Sequence, residues 1–143
     1  MKEDYLITIE NTQSSESGSE HYTLSTVGEY SYDGNRRLIK YADSAATGFE
    51  GCETTLDIDG KSIVFSRTGN MSANLILEAG KRFTGHYGTP VGILDLGVYT
   101  DSIDDRLTKH GGSIDFSYSL DINACFFAKN DLKITVREKK KNV

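Results

Sequence analysis

The chain has 143 residues, of which 37% are hydrophobic and 26% charged, and its formal net charge is −5. This balance is typical of one globular domain, here residues 1–143, and excludes a disordered or membrane-embedded chain. The acidic balance also argues against nucleic acid as the main partner, because a surface that follows phosphates carries an excess of Lys and Arg. We interpret the one dense basic run, REKKKNV at the C-terminus, as a terminal tail.

The first segment, MKEDYLITIE, contains no apolar stretch of the kind that directs secretion. No later apolar window is long enough to cross a membrane. The two cysteines, Cys52 and Cys125, have no neighbours at metal-ligand spacing, so we expect reduced thiols. These features predict a cytoplasmic protein with no metal, cofactor or membrane partner.

The predicted strands begin with YLITIE and HYTLSTVGEYSY, in which apolar or aromatic residues recur at alternate positions. Asp33-Gly34 and Asp59-Gly60 separate further alternating runs, and Asp-Gly at such a place is a strong hairpin signal. Glu50 lies between these hairpins in the glycine-flanked stretch TGFEGC. This stretch either bends the chain between two strands or presents the Glu50 carboxylate as a general base.

The stretch Asp101–Gly112, DSIDDRLTKHGG, is predicted to be the one short helix. Its apolar residues Ile103 and Leu107 are four positions apart, and its aspartates precede Lys109. Gly111 then follows as a C-terminal cap, an order that also suits the helix dipole.

Alternation returns in GSIDFSYSLDI, where Ile114, Phe116 and Tyr118 share one face, and in NDLKITVRE. About eight to ten strands with short connections favour an all-β meander of antiparallel neighbours. Closing such a meander removes its edges and leaves room for one small ligand. We therefore expect a single antiparallel β-barrel of about eight to ten strands with one short helix.

Three segments carry a family resemblance: TGFEGCETTLDIDGKSIVFSRTG, YGTPVGILDLGVYT and GGSIDFSYSLDI. In this order they resemble the YwiB-like family of bacterial proteins, a domain of unknown function grouped with the calycin-like β-barrels. The resemblance implies a closed or nearly closed, lipocalin-like barrel in a bacterial protein and no particular activity. The chain lacks the early tryptophan motif and the disulfide of secreted lipocalins, so a ligand role like theirs is an analogy.

Two arginines are the charged candidates for a site. Arg67 shares a predicted strand face with Phe65, and Arg82 shares one with His86. A guanidinium on an apolar face needs a buried acceptor, which Glu50 would supply, or it meets an anionic ligand. The alternative is an ion pair that closes one end of the barrel.

Tyrosines and histidines complete the candidates. No two histidines have the spacing of a local metal pair, and packing explains most of the tyrosines. Tyrosine hydroxyls would also orient a ligand in a pocket. The tyrosines considered for such a lining are Tyr22, Tyr30, Tyr32, Tyr41, Tyr87, Tyr99 and Tyr118.

The first functional hypothesis is a barrel that binds a small amphipathic or apolar molecule in its lumen. Its ligand-binding residues are predicted to be Glu50, Arg67, Arg82, His86 and Tyr87. A second hypothesis is a structural or interaction protein with a filled core, for example a homodimer, which predicts a contiguous apolar outer patch. The third is an enzyme that uses Glu50, His86 or a tyrosine in the cavity, and we assign no catalytic residue.

Overall fold

The computed structural model describes residues 5–44, 50–89, 92–122 and 125–139. The expected bend at Gly48 and the last four residues of the basic tail lie outside these ranges. Within them the chain forms strands and turns and no helix, so it contains no helical segment suited to crossing a bilayer. The strands are β1 (Tyr5–Ser15), β2 (Gly18–Asp33), β3 (Arg36–Ala42), β4 (Cys52–Asp59), β5 (Ser62–Gly69), β6 (Ser72–Glu78), β7 (Arg82–Thr89), β8 (Gly92–Thr108), β9 (Gly111–Ile122) and β10 (Cys125–Glu138).

The strands form one closed barrel in which each strand pairs antiparallel with its neighbours in the chain. The first and last strands complete the ring, with β1 paired to β10 from Tyr5↔Glu138 to Ser14↔Lys129. This pairing joins the two strands that would otherwise be the edges of the sheet. The predicted antiparallel meander barrel is confirmed.

Both Asp-Gly hairpins form, with each turn one residue later than the dipeptide indicates. Asp33 pairs with Arg36, so Gly34 and Asn35 make the first turn. Gly34 has a φ of 63°, a left-handed conformation that glycine adopts without a steric penalty. Gly60, with a φ of 62°, has the same place in the second turn.

The predicted helix over Asp101–Gly112 is wrong, because strand β8 continues to Thr108. A shift of register between Thr100 and Ser102 changes which residues face inward. Beyond it Ile103 and Leu107 share the inner face with Asp105 between them. A spacing of four residues fits the period of a strand as well as that of a helix, and the inward aspartate concealed the alternation.

The barrel has two ends of different character. The first, which we call the closed end, contains the β2–β3, β4–β5, β6–β7 and β8–β9 turns. An ion pair crosses the interior at this end, between Arg37 of β3 and Asp105 of β8 at 2.6 Å. The Tyr30 hydroxyl donates to the Thr108 carbonyl there at 2.7 Å. The adjacent interior is filled with apolar side chains. Its fully buried members are Ile7, Ile9, Ile39, Leu56, Ile58, Ile63, Leu77, Val98, Ile114, Phe116, Ile134 and Val136.

Candidate functional site

The other end of the barrel, which we call the open end, contains a cavity of about 900 Å³. Inward positions of the strands supply its walls, because alternate side chains of a strand point to the same face. A volume of this size is within the range of small-molecule sites. The apolar part of the wall includes Phe65, Ala73, Leu75, Leu96, Leu120, Ile122 and Leu132.

A buried charge lies in this wall. The Arg67 Nε–H group faces the Thr54 hydroxyl oxygen at 3.1 Å and the Asp43 carboxylate at 3.4 Å. Thr54 in turn donates its hydroxyl proton to Asp43 Oδ2 at 2.5 Å. The Arg67 and Asp43 side chains are only 7% and 1% exposed. The aspartate thus compensates the guanidinium charge in a place that water does not reach. The guanidinium carbon also lies 5.1 Å from the centre of the Phe65 ring, within the range of a cation–π contact.

Four tyrosines of the cavity wall surround Arg67: Tyr22, Tyr41, Tyr87 and Tyr118. Burial raises the pKa of each hydroxyl above the ordinary tyrosine value, and the Arg67 charge opposes this rise in all four. Tyr41 and Tyr118 are buried, whereas Tyr22 and Tyr87 are half-buried. At neutral pH all four therefore carry their protons, and two of the hydroxyl groups belong to buried side chains and two to half-buried ones.

Three of these tyrosines have polar side chains close to their hydroxyl groups. The Tyr87 hydroxyl lies close to the Arg67 side chain, and the Tyr41 hydroxyl lies close to Thr54. On the opposite wall the Asn11 side chain lies close to the Tyr22 hydroxyl and donates from Nδ2 to Asn130 Oδ1 at 3.3 Å.

One side of the cavity mouth is apolar, whereas Gln13, Glu20 and His21 of β1 and β2 line another side. The β7–β8 and β9–β10 hairpins lie side by side at the open end, and they expose four large apolar residues that we call the lip: Ile93, Leu94, Phe126 and Phe127. Leu94 and Phe127 also line the cavity. A β-bulge shifts the register between Phe126 and Ala128, which leaves Phe127 as the extra residue. Bulges of this kind re-aim side chains, here toward the mouth.

The structure places Arg67 and Tyr87 in the cavity and the other three predicted residues outside it. Arg82 is on the outer surface, where Asp121 binds it through both carboxylate oxygens at 2.7 and 3.3 Å. His86 is exposed beside Asp95. The reason is the register of β7, whose inward positions are Phe83, Gly85 and Tyr87.

Glu50 is exposed in a turn, where its carbonyl accepts a hydrogen bond from Asn70. The acceptor for Arg67 that Glu50 was predicted to supply is Asp43. Glu50 and His86 therefore lie outside the cavity that Tyr22, Tyr41, Tyr87 and Tyr118 line.

Sequence reasoning missed Asp43, Thr54, Asn11 and Asn130. The signal was present, because all four continue the inward series of their strands. Asp43, for example, follows Tyr41 by two positions. A search for alternating apolar residues does not count a buried polar residue, although that residue occupies the next inward position of the strand.

A second concavity, of about 680 Å³, lies on the outer surface near the closed end. It forms where Gly111 and Gly112 provide no side chains, and basic residues surround it. Two of these already have acidic neighbours, with Arg106 bound to Asp104 at 3.1 Å and His110 facing Glu138 at 3.6 Å. Among the described residues no cluster of His, Cys, Asp and Glu has the arrangement of a metal site.

Comparison with other proteins shows the family. The model of a domain of unknown function, DUF1934, matches residues 7–134, so the chain belongs to this family and the resemblance inferred from the sequence is confirmed. The crystal structure of the YwiB protein from Bacillus subtilis matches 95% of this chain and 92% of its own, at 18% identity and a TM-score of 0.82. That likeness shows a shared barrel fold. No curated protein matches the chain.

Proposed function

We propose that this member of the DUF1934 family binds a small amphipathic molecule inside its barrel. The observation that carries the proposal is the half-filled interior. Apolar side chains occupy the closed end, whereas about 900 Å³ at the open end holds Arg67 and four tyrosine hydroxyls. A barrel that served only as a scaffold would gain stability from side chains filling that space.

The lining indicates what kind of molecule fits. Leucine and phenylalanine side chains would contact an apolar body, and the hydroxyls of Tyr22 and Tyr87 would contact a polar head. The guanidinium of Arg67 is a planar group with five N–H donors, a geometry suited to a carboxylate. Because Asp43 already compensates its charge, the head would be recognised through directional hydrogen bonds more than through net charge.

The proposal is tested by filling the cavity. Ala73 is a small residue of the cavity wall, and the Ala73→Phe variant would place a ring in the space that a ligand needs. We expect this variant to bind dodecanoate at least tenfold more weakly in calorimetric titration, a change of about 1.4 kcal/mol. Tyr87→Phe, which removes only the hydroxyl beside Arg67, should weaken binding about threefold to tenfold.

Matched controls lie on the outer surface. Ala79→Phe adds the same ring at an exposed position, and Tyr99→Phe removes an exposed hydroxyl. Both controls should bind dodecanoate as the parent protein does. Equal affinity of Ala73→Phe and the parent would show that the cavity is not the binding site. Mass spectrometry of the protein purified from its own host should also detect a bound species that Ala73→Phe loses.

A further inference from the structure

On the side of the β7–β8 and β9–β10 hairpins, the open end has the reverse of the usual order of polarity. Polar groups lie inside, where Arg67 and Tyr118 are 7% and 6% exposed. Apolar groups lie outside, where Leu94, Phe126 and Phe127 are 47%, 52% and 51% exposed. Solvent alone would favour the opposite arrangement, since apolar surface is unfavourable in water and buried polar groups require partners.

The apolar lip and the cavity are one continuous surface. Leu94 and Phe127 belong to both, and Ile93 and Phe126 extend the same apolar patch onto the outer face. The depth of the apolar wall follows from strand geometry. From Tyr118 to Ile122 along β9 there are four residue steps, which correspond to about 13 Å. An alkyl chain longer than this depth, with its head near Arg67, would leave the cavity across the lip.

We propose that the ligand is a single-chain alkyl carboxylate that binds with its head inward and its tail across the lip. This inference rests on the proposed function and specifies its ligand class and orientation. The carboxylate would lie among the Arg67 and tyrosine donors, and the end of the chain would cover Leu94 and Phe127. One molecule would then contact the inner polar groups and shield the outer apolar ones.

The test compares chain lengths in a lip variant. Octanoate should be held within the cavity, whereas the longer chain of hexadecanoate should reach the lip. In the Leu94→Ser/Phe127→Ser variant we expect hexadecanoate to bind about tenfold more weakly than to the parent, a change of about 1.4 kcal/mol. Octanoate should lose no more than about twofold. The matched control is Val64→Ser/Ile76→Ser, which changes two apolar residues of the outer wall that are 37% and 39% exposed.

The outcomes separate this inference from the proposed function. If octanoate and hexadecanoate lose affinity equally in the lip variant, or neither loses any, the tail does not cross the lip, although binding in the cavity stands. If no carboxylate binds the parent protein, both proposals are wrong. Sedimentation of the free protein supplies a further outcome. A dimer that the lip substitutions dissociate would show that a second copy of the chain covers the lip, which overturns the inference.

Discussion

Asp43 and Thr54 contact the Arg67 guanidinium from one side inside the apolar barrel. Removing either charge alone would leave the other buried without compensation, at a cost of about 3–5 kcal/mol. A variant such as Arg67→Met would therefore lose stability and ligand contacts together. For this reason Tyr87, which only touches the guanidinium, is the better position for testing ligand recognition.

Thr54 is the uncharged member of this contact and allows a clean test of it. Thr54→Val keeps the shape of the side chain but removes the hydroxyl between Asp43 and Arg67. We expect the free energy of unfolding in urea to fall by about 1–3 kcal/mol, since a buried carboxylate loses a hydrogen bond. The matched control is Thr55→Val on the half-exposed outer face, which should stay within about 0.5 kcal/mol of the parent. Equal stabilities of the two variants would mean that the hydroxyl contributes nothing to holding the charges.

At the scale of the strands, the alternation of apolar residues predicted the barrel well, but it predicted only some of the side chains that line the cavity. Arg67 was placed correctly because Ile63 and Phe65 mark the inner face of β5 without ambiguity. On β7 the inward series includes Gly85, which has no side chain to mark a face, so Arg82 and His86 looked equally suited to face inward. The partner of Arg67 could not be predicted because Asp43 meets it only through the pairing of three strands.

Strand β8 shows the other limit of sequence reasoning. Its inward Asp105 satisfies Arg37 across the barrel, a contact between strands that are distant in the chain. The bulge near Thr100 also changes the phase of alternation within one strand. A local pattern contains neither the distant partner nor the phase change, so charge order and spacing favoured a helix.

Close approach of neighbouring strands predicts different responses at two glycines. A Cβ on Gly28 would lie 2.5 Å from the Lys40 carbonyl oxygen, which is backbone of the adjacent strand and cannot turn away. On Gly85 the closest atom is a methyl group of Leu75, also at 2.5 Å, which can rotate. We expect Gly28→Ala to lower the free energy of unfolding by about 2–3 kcal/mol and Gly85→Ala by about 1 kcal/mol or less. Urea unfolding of both variants tests this order, and the reverse order would contradict the role of the backbone contact.

For the whole molecule, the division into a filled and an open half separates stability from binding. The packed closed end and the pairing of β1 with β10 hold the ring together. The open end can therefore keep unfilled space and buried polar groups, both of which reduce stability. Cavity and lip substitutions should consequently change binding more than they change the fold.

Buried tyrosines make the free energy of unfolding depend on pH in the alkaline range. Burial raises the pKa of Tyr118 above the ordinary value of 10.0, and it raises the pKa of Tyr30 to about 12. Below about pH 10 the folded and unfolded chains both keep these protons, so the stabilising effect is complete. As the pH rises from about 10 toward 12, the unfolded chain loses protons that the folded chain retains, and the free energy of unfolding must fall.

Tyr118→Phe tests this relation because it removes one titrating group from the barrel interior. We expect its stability to fall less steeply above about pH 10 than that of the parent, by up to about 1.4 kcal/mol per pH unit. Phe126→Leu, which removes no titrating group and lies at a position that is 52% exposed, should keep the parent's slope. Urea unfolding followed by circular dichroism at a series of alkaline pH values measures both. A Tyr118→Phe slope equal to the parent's would show that the interior does not keep this hydroxyl protonated, and that water reaches the inner wall of the cavity.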